Sequence, residues 1–232
     1  MHSKPNLLIR TIAKITAKIT AKITLKVIQA WDRSWLAWIA HRNPGLRIDP
    51  TASTNFAKAK FDLGPEARLV IGAGVVTERI AQGVRFELGA GAVVIIEDGV
   101  WLRSDVGPVF LRAFPGAQIT IGPDTQLSAC MLSAKQEVSI GRRVLIGMGT
   151  RIFDSDQHPI DVDHPEVTLP VRVEDDVWVA ADVTVLRGVT IGKNSVVGTR
   201  SLVRLAVEPY TVVSGVPAKL YGRLGDRSAL PL

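Results

Sequence analysis

The run Asp154-Ser155-Asp156-Gln157-His158-Pro159 holds residue types suited to proton transfer. An imidazole titrates near neutrality and can take a proton from an attacking hydroxyl. A neighbouring carboxylate can fix its tautomer and stabilise the imidazolium formed during attack. Asp156, two residues before His158, and Asp154, four before it, are both candidates, and spacing does not choose between them. Pro159 stiffens the backbone after the histidine. The plainer alternative is a solvated acidic loop with a bystander histidine. A metal site needs three or four converging ligands. His2 and His41 sit near the N-terminus, which leaves only His158 and His164 here, so no metal is expected. The single Cys130 allows no intramolecular disulfide framework, fits a reducing compartment and reads as a small buried apolar residue.

This run interrupts a regular pattern. From Val173 an aliphatic residue recurs at every sixth position: Val173, Val179, Val185, Ile191, Val197 and Val203. Ile140, Ile146 and Ile152 form an earlier run in the same period. Helices repeat every 3.6 residues and half-buried strands alternate, so neither explains a period of six. A fixed six-residue period marks a hexapeptide solenoid, in which each unit is a short strand and a turn. One unit cannot bury its apolar side, so several must stack into a continuous core. Gly141, Gly147, Ala180, Gly192 and Gly198 follow the aliphatics and suit tight corners. Residues 48–120 read as weaker coils whose phase slips, as in Leu69-Val70-Ile71-Gly72 and Ile119-Thr120-Ile121-Gly122. We expect an all-β solenoid over 48–222, a basic segment over 1–47 and a loose tail over 223–232.

Charge separates these parts. Nine of the 28 Lys/Arg and one of the 22 Asp/Glu lie in residues 1–47, so the net charge is +8 before residue 48 and −2 after it. Within residues 7–42, Lys14, Lys18, Lys22 and Lys26 are spaced i, i+4, and Trp31, Trp35 and Trp38 follow at i, i+4, i+7. The spacing predicts a basic amphipathic helix, stopped by Asn43-Pro44-Gly45. Such a helix suits an anionic membrane surface, or packing on the solenoid or on its copies in an oligomer. Its lysines break every apolar run short of a membrane span. No secretory signal is expected either, because an uncharged apolar core and a cleavage site are missing. The tryptophans lie with the apolar residues and no recognition motif accompanies them, which argues against nucleic acid. We therefore expect a cytoplasmic protein, peripheral on the inner face of the membrane if the helix seeks lipid.

Several motifs occur in a telling order. Ile140-Gly141-Arg142-Arg143-Val144-Leu145-Ile146-Gly147 precedes the Asp-Ser-Asp-Gln-His158 run. Val177-Trp178-Val179-Ala180-Ala181, Gly188-Val189-Thr190-Ile191-Gly192 and Gly215-Val216-Pro217-Ala218-Lys219 follow it. This order resembles the hexapeptide-repeat acyltransferases of the maltose, galactoside and polysaccharide O-acetyltransferase type. The resemblance is strong over 119–222 and weaker over 48–118. It implies a left-handed parallel β-helix, against the usual right-handed crossover, assembled as a homotrimer with its site in a cleft between neighbours.

The resemblance also implies that His158 is a general base for direct attack of a sugar hydroxyl on acetyl-CoA. A backbone N–H would hold the developing oxyanion. Trp178, Ala180, Ala181 and Thr199 would border the pantetheine, and Lys219 with Arg204 would meet the phosphates. Arg200 stands where a glycine is usual. The acceptor-binding asparagine expected near 127–130 is replaced, leaving Ser128 as the nearest polar group. The expected acceptor is a saccharide, as a polysaccharide or linked to lipid. The rival readings are an acyltransferase acting on a nucleotide-sugar amine or drawing on acyl carrier protein, and a non-catalytic scaffold.

Overall fold

The structure, a computed structural model, describes the backbone of residues 7–230 and the side chains of residues 18 and 20–230. After one long helix, α1 (Leu7–Arg42), the chain winds through three sheets of seven, eight and seven strands. A coil visits the first sheet, then the second, then the third, and the next coil stacks on it in parallel. Val173 pairs with Ile191, Val179 with Val197 and Val185 with Val203. Each step is three hexads, so one hexad forms one side of a three-sided prism. This is the expected left-handed parallel β-helix.

The slipping phase of the early part has a simple cause. There Leu69 pairs with Val94 and Val94 with Ile119, so each coil takes 25 residues. The additional residues enlarge strands and corners without changing the order of the sheets. Along the axis the inward aliphatics stack into one core. Each fully buried Val, Ile or Leu contributes about 1.5–3 kcal/mol of burial energy.

Coils meet most closely at the corners. A Cβ added to Gly147 would lie 2.6 Å from the carbonyl carbon of Ala180 on the next coil. Asp182 and Arg200 occupy equivalent left-handed turns one coil apart, each with φ near +58°. The Arg200 N–H donates to the Ala181 carbonyl, and its exposed guanidinium lies 3.9 Å from the Asp182 carboxylate.

Helix α1 docks its C-terminal part on the first coil. Leu36 enters the core, and the buried Asp32 carboxylate receives both Nε and Nη2 of Arg79 at 3.0 Å. Arg33 donates to the Ala52 carbonyl, and Asn43 closes the last turn on Ile39. A solenoid end exposes unpaired strand edges and open core, and α1 covers this one beside Phe56.

At the other end, Thr211–Ser214 pairs antiparallel with Lys219–Arg223. The tail, expected to be loose, is tied along the corners between first and second sheets. Leu224 N–H donates to the Tyr210 carbonyl, Arg227 N–H to Asn194 Oδ1, and Arg143 Nη2 to the Leu230 carbonyl.

Candidate active site

His158 stands on a corner that has grown into an arm. The third-sheet strand Arg151–Phe153 should turn within a few residues into the first-sheet strand Val171–Val173. Residues 154–170 intervene instead. The base of this arm is a short antiparallel ribbon: Ser155 bridges Thr168, Leu169 N–H donates to the Asp154 carbonyl, and Asp156 N–H donates to the Val167 carbonyl. The tip carries exposed His158, Ile160 and Val162. Within the tip, Asp161 accepts from the N–H groups of Asp163 and His164 and lies 2.7 Å from His164 Nδ1.

Charged groups pin the ribbon to the solenoid. Asp154 is 0% exposed. Its Oδ1 accepts from the Lys135 N–H at 2.8 Å, and its Oδ2 from those of Gln136 and Glu137 at 2.6 and 2.8 Å. This carboxylate organises the preceding coil's turn. Asp156 accepts from Arg187 Nε at 2.6 Å and from the Val167 N–H at 3.2 Å. The Arg187 hydrogen bond holds the Asp156 carboxyl below its usual range. Both aspartates proposed to orient His158 are therefore engaged elsewhere, by partners that coil stacking supplies.

A third carboxylate, Glu166, absent from the sequence candidates, also belongs to this arm. Lys135 Nζ donates to Glu166 Oε2 at 2.8 Å and to the carbonyl of Gln157, immediately before His158, at 3.0 Å. The same ammonium is 2.7 Å from Glu166 Oε1, a buried oxygen that no donor meets in hydrogen-bonding alignment. It also sits 4.9 Å from the Phe114 ring. The Lys135 hydrogen bond is the main influence holding the Glu166 carboxyl below its usual range, with smaller help from Ser155 and from the charge of His158. Lys135 thus ties the backbone next to His158 to the carboxylate that senses its ring. Nothing in the spacing announces this, since Glu166 lies 31 residues from Lys135.

Most of the residues expected to hold a coenzyme lie at a different corner. Trp178 is half exposed on the second sheet. Ala180 and Ala181, then Gly198 and Thr199 one coil on, stack where the second sheet turns into the third. The residues stacked at this corner are small. Lys219 and Arg204 are exposed near the C-terminal end of the same solenoid, and these cations suit phosphates. The arm leaves the opposite edge of the third sheet, so it and the Ala180–Thr199 group occupy different corners of the prism, while Arg204, just after the third-sheet strand Leu202–Val203, lies on the arm's side. Arg227 reaches over the Trp178 ring at 5.7 Å from the tied tail.

Ser128 does not line an open site: it is buried and accepts from Gln126 Nε2 at 2.9 Å. The groove beside it, about 420 Å³, is lined by Val106, Pro108, Phe110, Met131 and Met148, with Arg151 and Asp182 as its charged residues. Burial pushes the Cys130 thiol up to about 12, so it supplies no thiolate at neutral pH. Among the described residues no cluster of three or more His, Cys, Asp or Glu is arranged to hold a metal ion.

No family model matches the chain. Over 155 residues it is 29% identical to a probable acetyltransferase of Mycobacterium tuberculosis, covering 65% of this chain and 48% of that protein. It thus spans about half the length of this curated relative. Among solved structures it is similar to a hexapeptide-repeat acetyltransferase of Vibrio cholerae complexed with acetyl-coenzyme A. The identity there is 33%, covering 50% of this chain and 66% of that one, with a TM-score of 0.46. A galactoside acetyltransferase in complex with coenzyme A is 27% identical over 57% of this chain and 66% of its own, with a TM-score of 0.49. The six-residue repeat and the three-sided solenoid are those of a hexapeptide-repeat fold, and the sequence relative is named a probable acetyltransferase.

Proposed function

We propose that the protein transfers the acetyl group of acetyl-CoA to a saccharide hydroxyl, with His158 as general base. The observation that carries this reading is the arm itself: an exposed imidazole on a ribbon pinned by Asp154, Asp156 and Lys135. A bystander histidine has no need of such anchoring. The acceptor oxygen attacks the thioester carbonyl carbon while His158 takes its proton. The C–S bond breaks, and the imidazolium returns the proton to the departing thiolate, leaving ester and free CoA. Glu166 faces the histidine in the role first considered for Asp154 and Asp156, favouring the imidazolium by its negative charge. Trp178, Ala180, Ala181 and Thr199 border the pantetheine chain, while Arg204 and Lys219 meet the phosphates. Because the arm and this track occupy different corners, a second copy closes the site, and we assign the assembly to a homotrimer. The acceptor class rests on the order of motifs from Ile140 to Lys219: a polysaccharide or lipid-linked saccharide.

The test is a screen of saccharides for release of free CoA thiol, followed by His158→Ala on the best acceptor. We expect the variant to remain folded and to lose transfer. Parental turnover by the folded variant would overturn the mechanism. Turnover with amines but not with hydroxyl acceptors would move the reading to N-acylation.

A further inference from the structure

Beyond its docked segment, the described side chains of α1 are exposed on every side. Residues 20–30 and residue 18 contact no other part of the protein closely enough to be buried. Tryptophans are rarely left open, because their large apolar area favours burial. Yet Trp31, Trp35 and Trp38 are 75%, 44% and 45% exposed. Trp35 and Trp38 stack with centroids 4.7 Å apart, and Arg42 lies 4.5 Å from the Trp38 ring. Ile23, Val27, Trp31 and Trp35 form one i, i+4 ridge along the helix, joined by Trp38 three residues on.

The four-residue repeat gives this ridge a charged border. At 100° per residue a four-residue step overshoots one turn by about 40°, so each row winds slowly round the helix rather than forming a straight stripe. Lys22 and Lys26 each precede an apolar ridge residue by one position, about 100° round the axis. The lysines therefore run beside the apolar ridge, where long side chains can lift their ammonium groups while the ridge is buried.

We infer that this ridge docks the protein on an anionic phospholipid surface. The charge pattern selects that occupant over a second copy. Asp32 is the helix's only acid, and Arg79 already holds it. Packing α1 on its copies would bring lysine rows together without a carboxylate to offset them. Anionic headgroups supply the missing charge, and the tryptophan rings suit the headgroup boundary. The helix lies on the surface rather than crossing it, since among the described residues no helix is long and apolar enough to span a membrane.

The full chain should co-sediment with phosphatidylglycerol–phosphatidylcholine vesicles at low salt, with a blue shift of tryptophan emission, and not with phosphatidylcholine alone. Lys18→Glu/Lys22→Glu/Lys26→Glu should weaken vesicle affinity by about 100-fold or more, from roughly a fivefold contribution per lysine near such a surface. Trp31→Ser/Trp38→Ser should remove most of the blue shift. All five side chains are exposed, and an unchanged thermal melt confirms the fold. Failure of the intact chain to bind anionic vesicles overturns the proposal, as does equal binding by the lysine variant. A fall in oligomeric order for the tryptophan variant, without lipid binding by the parent, would assign the ridge to contacts between copies instead.

Discussion

The two edges of the third sheet are built on opposite plans. Where the second sheet turns into the third, corners repeat every 18 residues late in the chain, as the pairing of Val179 with Val197 shows. These corners are held by backbone hydrogen bonds and small residues: Gly147 against Ala180, and Arg200 N–H on the Ala181 carbonyl. Where the third sheet turns back into the first, one corner extends over residues 154–170 and is held by charge. Its anchors are Asp154 on three backbone N–H groups, Arg187 on Asp156, and Lys135 on Glu166 and Gln157. Close backbone stacking makes a uniform track that discriminates little along its length. Side-chain anchoring places one group at one point, as a proton-transfer residue requires.

This contrast can be broken in order of effect. His158→Ala should lower acetyl transfer by about 10²–10⁴-fold, the usual contribution of a positioned general base, with the melting temperature unchanged. Free-thiol release and a thermal melt read the two halves of that expectation. Asp154→Ala should do the reverse and strike stability first. It strands three buried N–H donors and costs about 3–5 kcal/mol in urea unfolding. A value below about 1 kcal/mol would show that the arm does not depend on that carboxylate.

Smaller effects test the regular edge. Gly147→Ala forces a methyl against the backbone of Ala180 and should cost about 1–3 kcal/mol, because two stacked strands cannot move apart independently. Arg200→Gly should stabilise the protein by about 1 kcal/mol, since glycine carries no penalty at φ +58°. A loss of stability on that change would mean that the Arg200–Asp182 pair outweighs the backbone preference.

The mildest perturbation is acid. Asp156 and Glu166 both have carboxyls held below their ordinary range. Their contribution is therefore complete above the unfolded carboxylate value, about 4, and disappears as pH falls through the folded values. Below about pH 4 the ribbon amides, such as those of Asp156 and Val167, should exchange faster while core amides such as that of Ile191 stay protected. Hydrogen exchange read residue by residue decides this, and uniform loss of protection would contradict local opening.

How much of this was legible varies by region. The aliphatics from Val173 to Val203 announced their own burial, because the period of six is also the length of one side of the prism. The early coils were harder to read, since a 25-residue coil hides the hexad behind longer strands and corners. The helix was legible from lysine spacing, although the winding of its rows needs the turn angle rather than the letters. His158 was legible as the loop's proton acceptor in type, and its surroundings were not. Asp154 and Asp156 looked like partners because they are close in sequence. Glu166, Lys135 and Arg187 were invisible because their relation to the arm passes through stacked coils. Ser128 suggested a polar acceptor contact, whereas neighbouring side chains enclose it and leave an apolar groove beside it.

The amino-acid sequence by itself determined the repeat, the place where it breaks, and the division into a basic helix and a near-neutral solenoid. These depend on local spacing and composition, which act before any long-range contact forms. Only the tertiary structure decided which groups engage Asp154, Asp156 and Glu166, which residues pin the arm of His158, and which part of α1 docks. Those choices depend on groups 31 or 47 residues apart, as Lys135 is from Glu166 and Asp32 from Arg79. Coil stacking and helix docking set such distances, and spacing along the chain does not.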